Sequence, residues 1–422
     1  MAMHSNEAPK RRAVILTADH EVDRRILQQN RDLVKAGWDV FTYCPNERAG
    51  GSKIADEDIQ RSNFGLFYSL YHLFLRFVGT GEIASVIKRI IWRLLSGLPW
   101  FLEKFHSLGV DRLRGMDRPT LVIAHDLPML PLGVQLARYF SCRLIYDSHE
   151  FYSGQIMPFW ESWAWRWLER KYIKHADAVI TVNPSIAELI EIGYGLEKVH
   201  VVQNAVDRSQ DDLSAGDGNS LRAALGISFA EKILLYQGGL SSGRNLHNLV
   251  LSLKLVKTNG VKLVFLGGGE LYEDLIETVK ENDLEGKVLF HSRVSQEMLS
   301  KYTLEGDVGV IPYLPNCLNN KLCTPNKLYE FIAAGVPVLS SDLKEVKRIL
   351  YRYGCGFTVD MDSPSAIAAG IDDIFADPAT LSDIKANARA ASAQVNWKNE
   401  GAVWMGIVET VMHTTDSLHI GY

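Results

Sequence analysis

Paired cysteines are missing from this chain. The five present, Cys44, Cys142, Cys317, Cys323 and Cys355, are odd in number and scattered, with no CxxC or Cys/His spacing. That excludes a disulfide framework and a structural zinc site, and it fits a reducing, cytoplasmic setting. A strong charge of one sign is missing too: a net charge of −5 over 422 residues excludes nucleic acid as an expected partner, so any basic site must be local. The chain also lacks a membrane-spanning run. The uncharged stretch from Phe64 to Leu75 falls short of the roughly 20 residues a spanning helix needs, and Arg76, Lys88, Arg89 and Arg93 follow it. The opening MAMHSNEAPKRRAVIL has no small-residue cleavage site and does not read as a signal peptide. No complete GxGxxG fingerprint accompanies the Gly267–Gly269 run, which is read instead as a place where backbone approaches a ligand closely.

What is present is an alternation of apolar runs and helical patterns in a chain long enough for two domains, each with its own core. AVILTA, WDVFTYC, TLVIAHD, CRLIYDSHE, DAVITVN and VHVVQNAVD form a first series; in the first intervening helix Ile26, Leu33 and Val34 share a face. The polar stretch 207–220 interrupts it. ILLYQGG, KLVFLGGG, KVLFHSRV and DVGVIPY then form a second series at βα-unit spacing. The pattern predicts an α/β chain of two Rossmann-like, doubly wound domains with parallel sheets, facing across a cleft: residues 1–206, with an insert at about 60–116, and residues 207–395. A terminal helix over 396–422 carries an apolar stripe of Ala402, Val403, Ile407, Val408 and Val411 and is expected to cross back onto the first domain.

The insert mixes Phe, Leu and Trp with basic residues. This suits a segment lying in the interface of an anionic membrane, and equally a core helix pair with solvated basic edges. Trp160, Trp163, Trp165 and Trp167 crowd one later helix and are read as packing, with an interfacial belt as the alternative.

The stretch CTPNKLYEFIAAGVPV (323–338) concentrates chemistry. Thr324 can cap a helix whose first position is Pro325, Lys327 adds a full charge to the positive helix start, and Glu330 follows three residues on. A cationic helix start suits a phosphate, and a carboxylate can accept bonds from two neighbouring sugar hydroxyls, so the combination suits a nucleotide. On spacing alone a solvated Lys–Glu pair fits as well.

Pro325 to Val338, P-N-K-x-x-E-x-x-x-A-G-x-P-V, resembles the nucleotide-binding signature of family 4 retaining glycosyltransferases, which have the two-domain GT-B fold. Further similar stretches follow the family's order, among them DHEVDRRILQQNRDLVKAGWDV, AHDLPMLPLG, YDSHE, ADAVITVNPSIAELI, YQGGLSSGRNLHNLV and LGGGELYEDL. The resemblance implies that Glu330 holds the nucleotide ribose and that Arg244, opening a helix where the family has lysine, grips the donor diphosphate with Lys327. Gly239 stands where an arginine often accompanies that lysine, and Leu322 stands where the family has its first glutamate; Asn319, Asn320 or nearby backbone would then hold the donor sugar. Gly239, Gly268, Arg293, Val294, Asn320, Thr324 and Asn326 complete the implied donor side.

His125, just past a strand, resembles a family histidine on the donor sugar, which places it with Arg244 and Lys327 in the catalytic set; Asp126, His149 and Glu150 are acceptor-side candidates. Asp360-Met361-Asp362 has the D-x-D form of metal-dependent transferases of another fold, but it precedes a helix start and is assigned to capping. No metal and no cofactor is expected. The implied activity is transfer of a sugar from a nucleotide-diphosphate sugar to a hydroxyl with retention, the acceptor being a saccharide or lipid-linked saccharide. A sugar-nucleotide epimerase of the same fold and a non-catalytic binding or membrane-scaffold protein are the alternatives. The implied location is cytoplasmic and peripheral to the membrane.

Overall fold

A computed structural model describes residues 11–18, 22–44, 91, 95–107, 110–207 and 220–414. They divide into two compact units: residues up to Val202 together with those from Gly401, and Gln203–Glu400. The boundary therefore lies a few residues earlier than the polar stretch implied, and the second unit keeps the first residues of the terminal helix, Trp397–His413.

The first unit holds a six-stranded parallel sheet of β1 (Arg12–Leu16), β2 (Asp39–Tyr43), β3 (Leu121–His125), β4 (Arg143–Ser148), β5 (Ala178–Thr181) and β6 (His200–Val201), in the order β2-β1-β3-β4-β5-β6. Its central strands are continuous apolar runs because helices cover both faces; Ala13 to Leu16 and Leu121 to Ala124 are fully buried and pair in register. In the helix Arg24–Lys35, Ile26 and Leu33 are buried as expected but Val34 is exposed. One residue is a rotation of about 100° around a helix, and the inward positions are taken by Arg25 and Gln29, which serve a buried carboxylate.

The end of the insert is core. Phe101 and Leu102 of the helix Pro99–His106 are fully buried, and that helix packs on the tryptophan-rich helix Phe159–Tyr172. Phe64–Leu75, Arg76, Lys88, Arg89 and Arg93 lie outside the described residues. Among the described residues no helix is long and apolar enough to cross a membrane.

The second unit repeats the plan with β7 (Lys232–Gln237), β8 (Val261–Leu266), β9 (Val288–His291), β10 (Val308–Ile311), β11 (Val338–Ser341) and β12 (Gly356–Val359), all parallel in the order β12-β11-β10-β7-β8-β9. In the terminal helix the buried stripe is Trp404, Ile407, Val408 and Val411, while Ala402 and Val403 face out. Indole burial outweighs that of a methyl or isopropyl group, so Trp404 sets the phase.

Candidate functional site

In the second unit the sheet order reverses between β7 and β10, the position where parallel α/β sheets hold ligands beyond their strand ends. Two glycine loops meet there. Gly238 N–H donates to the Leu266 carbonyl at 2.9 Å, and Leu240 N–H donates to the Gly268 carbonyl at 3.0 Å. A Cβ on Gly267 would stand 2.1 Å from the Gly238 carbonyl oxygen, and one on Gly269 2.4 Å from that of Leu240. Two of the three glycines therefore let loop approach loop, a correction to the reading that the whole run serves a ligand. Gly268 and Gly239 face open space.

The cations gather around two tyrosines. The Lys327 Nζ lies 3.5 Å from the Tyr236 ring centroid and 5.1 Å from that of Tyr313, and the Arg244 guanidinium stacks 4.0 Å from the Tyr313 centroid. Tyr236 Oη donates to the Gly239 carbonyl at 2.8 Å, tying this cage to the first glycine loop. The Lys327 amine is buried without a hydrogen-bond partner. Burial first, and Arg244 second, push its pKa well below the usual lysine value, against the pull of Glu330. Glu330 is half-buried and accepts a hydrogen bond from Gln237 Nε2, whose amide oxygen accepts from Thr303 Oγ1 at 2.9 Å.

The local chain differs from expectation in two respects. The signature helix runs Asn326–Ala334, so Pro325 is its cap residue and not its first helical one. Thr324 stands one residue before that cap, buried, with its hydroxyl bonded to the Tyr329 side chain. Arg244 precedes the helix Leu246–Ser252 by two residues, in the turn, because Asn245 adopts a left-handed φ of 59° at the cap. At the other end, Gly335 closes the signature helix at φ 68°, with Val336 N–H on the Phe331 carbonyl at 2.8 Å.

The remaining donor-side candidates are less concentrated. Asn320 spends its amide on the Leu314 carbonyl and Asn316 Oδ1, and the Asn326 side chain accepts from Asn204 Nδ2 at 2.9 Å. Arg293 and Val294 sit in the loop after β9, the arginine exposed and the valine packed on the core. Leu322 is buried. Asp362 N–H donates to Asp360 Oδ1 at 2.8 Å in a turn before the helix Pro364–Ala376, which Ser363 caps.

A second cluster lies at the ends of β3 and β4 in the first unit. His125 Nδ1 is 2.9 Å from His149 Nε2. Burial disfavours the His149 cation, but Asp126 and Asp147 outweigh it and its pKa rises. For His125 burial prevails over Asp147 and the pKa falls to about 3. His125 Nδ1 and His149 Nε2 thus share one hydrogen bond, and His125 Nε2 is a buried atom without a partner.

Asp126 adopts φ 60°, tolerable for a short polar side chain, and its Oδ1 accepts from the His149 N–H at 2.9 Å. Asp147 is fully buried, with Arg25 donating to both of its oxygens at 2.9 Å and Gln29 Nε2 to one at 2.6 Å; burial opposes its charge, yet the Arg25 guanidinium, with the neighbouring histidines, holds its pKa far below the ordinary value. Glu150 binds Gln155 Nε2. Arg25 and Gln29 escape a reading of the sequence, since polar residues on an amphipathic helix are assigned outward. His125, Asp147 and His149 offer ligand atoms within 4.8 Å of one another. Both Asp147 oxygens are already engaged and the two rings bond to each other, so the set fits a hydrogen-bond network better than a metal centre.

Comparison with known proteins meets this geometry. Glycosyl transferases group 1 matches residues 218–391, and Glycosyl transferase 4-like domain matches residues 21–205. An uncharacterised glycosyltransferase of Methanocaldococcus jannaschii is 26% identical over 274 residues, covering 62% of this chain and 68% of that one. The Campylobacter jejuni enzyme N-acetylgalactosamine-N,N'-diacetylbacillosaminyl-diphospho-undecaprenol 4-alpha-N-acetylgalactosaminyltransferase is 26% identical over 187 residues, 43% of this chain and 45% of that enzyme. The Anabaena protein HepE, solved with UDP-glucose, superposes with a TM-score of 0.65 at 13% identity, covering 94% of this chain and 99% of that one. With both halves matched in order and both sheets of the expected topology, the chain belongs to the family 4 glycosyltransferases of the GT-B fold.

Proposed function

We propose that the protein transfers a hexose from a nucleotide-diphosphate sugar to a hydroxyl with retention of configuration and without a metal. The observation that carries this reading is the buried, unpartnered Lys327 amine, held with Arg244 on Tyr313 beside open glycine loops. A pyrophosphate supplies the charge this pair lacks, and fixed cations stabilise it as a leaving group with no reorganisation at the moment of bond cleavage. Glu330, three residues along the same helix, is suited to the ribose, and the open faces of Gly239 and Gly268 to the donor backbone. Thr324, Asn320, Asn326, Arg293 and Val294 remain the wider donor shell. His125, whose buried Nε2 has no protein partner, is suited to a sugar oxygen.

The acceptor we propose is a lipid-linked saccharide in surface polysaccharide assembly, with the protein peripheral to the cytoplasmic face of a membrane. The name of the Campylobacter jejuni relative, which contains a diphospho-undecaprenol acceptor, supports this. Asp126, His149 and Glu150 are the acceptor-side residues.

The test is isothermal titration with UDP and a radiolabelled transfer assay. Glu330→Ala should weaken UDP binding by about tenfold or more, the loss of a charged hydrogen-bond partner. Arg244→Ala should lower turnover on the order of a hundredfold, the scale of one lost charge-stabilising group. Parental behaviour of both variants, or conversion of donor to an isomeric sugar nucleotide without acceptor, overturns the reading.

A further inference from the structure

We propose that the outer face of the helix Phe159–Tyr172 docks the protein on a bilayer interface carrying anionic phospholipid. The tryptophans of this helix divide: Trp165 is only 2% exposed and packs inward with Ala164 and Leu168, whereas Trp160, Trp163 and Trp167 are 42%, 58% and 40% exposed. Phe159 at the helix start is 80% exposed, and Ile156 just before it extends the apolar surface. Soluble proteins seldom leave such a run of large rings in water without a use for it.

The charges on the same face select the occupant. Arg166, Arg170 and Lys171 on the helix and Lys174 in the turn just after it are exposed, Arg170 also donating to the Gly193 carbonyl at 3.0 Å. The carboxylates nearby are few: Glu161 is half-exposed at the helix start, Glu169 is buried between Tyr146 and Tyr194, and Glu103 binds Lys171 at 2.7 Å. Lys171 also lies 5.3 Å from the Trp167 ring centroid, so an ammonium and an indole share one edge of the face. Indoles settle at the boundary of headgroup and hydrocarbon, and cations beside them meet anionic headgroups. A second copy of this chain would bring the same arginines, Arg166 and Arg170, against each other, which disfavours self-association through the same surface.

The inference rests on the peripheral location proposed above and is independent of the donor chemistry. Its test is co-sedimentation of the full-length protein with vesicles of mixed phosphatidylglycerol and phosphatidylcholine, beside vesicles of phosphatidylcholine alone. The parent should bind the anionic vesicles and be partly released by salt. A Trp163→Gln/Trp167→Gln variant should partition about tenfold less, and an Arg166→Gln/Arg170→Gln variant on the order of tenfold less, with UDP affinity unchanged in both.

Parental partitioning of both variants overturns the assignment to this helix while leaving the peripheral location standing. Failure of the parent to bind anionic vesicles overturns both, and neither outcome touches the glycosyltransferase reading. A dimer seen by analytical ultracentrifugation and lost in the tryptophan variant would give the face to a second copy and also overturn the proposal.

Discussion

Lys327 is a buried amine without a hydrogen-bond partner, and its titration links the fold to the proposed ligand. Its folded pKa lies well below 10.5, first through burial and then through Arg244. Between that depressed value and 10.5 the unfolded chain holds a proton that the folded site does not, so the ligand-free fold gains stability as pH rises through this window. A bound pyrophosphate reverses the balance by favouring the ammonium. UDP binding should therefore take up a proton, and affinity should fall as pH rises through the same window. Titrations in two buffers of different ionisation enthalpy measure the uptake, which should approach one proton and vanish in Lys327→Met; equal uptake in that variant would place the proton elsewhere. The proximity of Lys327 and Arg244 at Tyr313, with Glu330 on the same helix as Lys327, was legible because a short motif holds two of these residues and a turn signature the third. Arg25 was not: its partner Asp147 lies 122 residues away, and nothing local marks a buried guanidinium.

At the scale of elements, the strands were legible where burial on both faces forces uninterrupted apolar runs, as in ILLYQ and KLVFL. The short edge strand Gly356–Val359 was missed, since it pairs on one side only and leaves Phe357 partly exposed. The glycine loops after β7 and β8 were found but not divided by role. Gly267 combines φ 149° with the Gly238 carbonyl 2.1 Å from a would-be Cβ, so Gly267→Ala should cost roughly 2–4 kcal/mol through strain and overpacking. Gly268→Ala should unfold at the parental denaturant midpoint, because its methyl group meets open space, yet bind UDP more weakly because that space is the proposed donor site. A Gly268→Ala protein with parental UDP affinity would remove this loop from the donor site.

Across the whole molecule, the proposed nucleotide contacts are unevenly distributed. Arg244, Lys327, Glu330 and both glycine loops belong to the unit Gln203–Glu400, which has its own sheet and its own buried core. A ligand that binds only the folded form stabilises it by mass action, about 2.7 kcal/mol at a hundredfold excess over Kd, and the gain falls on the segments whose opening breaks the site. UDP, which lacks the sugar, should slow amide exchange in peptides spanning 236–246, 265–271 and 323–331 and leave β1, β3 and β4 near their free rates. Hydrogen exchange read by mass spectrometry measures this directly. Arg244→Ala combined with Lys327→Met should abolish the protection if those cations hold the pyrophosphate. Protection confined to the first unit would mean that the nucleotide is held by His125 and its neighbours, and that the buried amine of Lys327 is a feature of the fold alone.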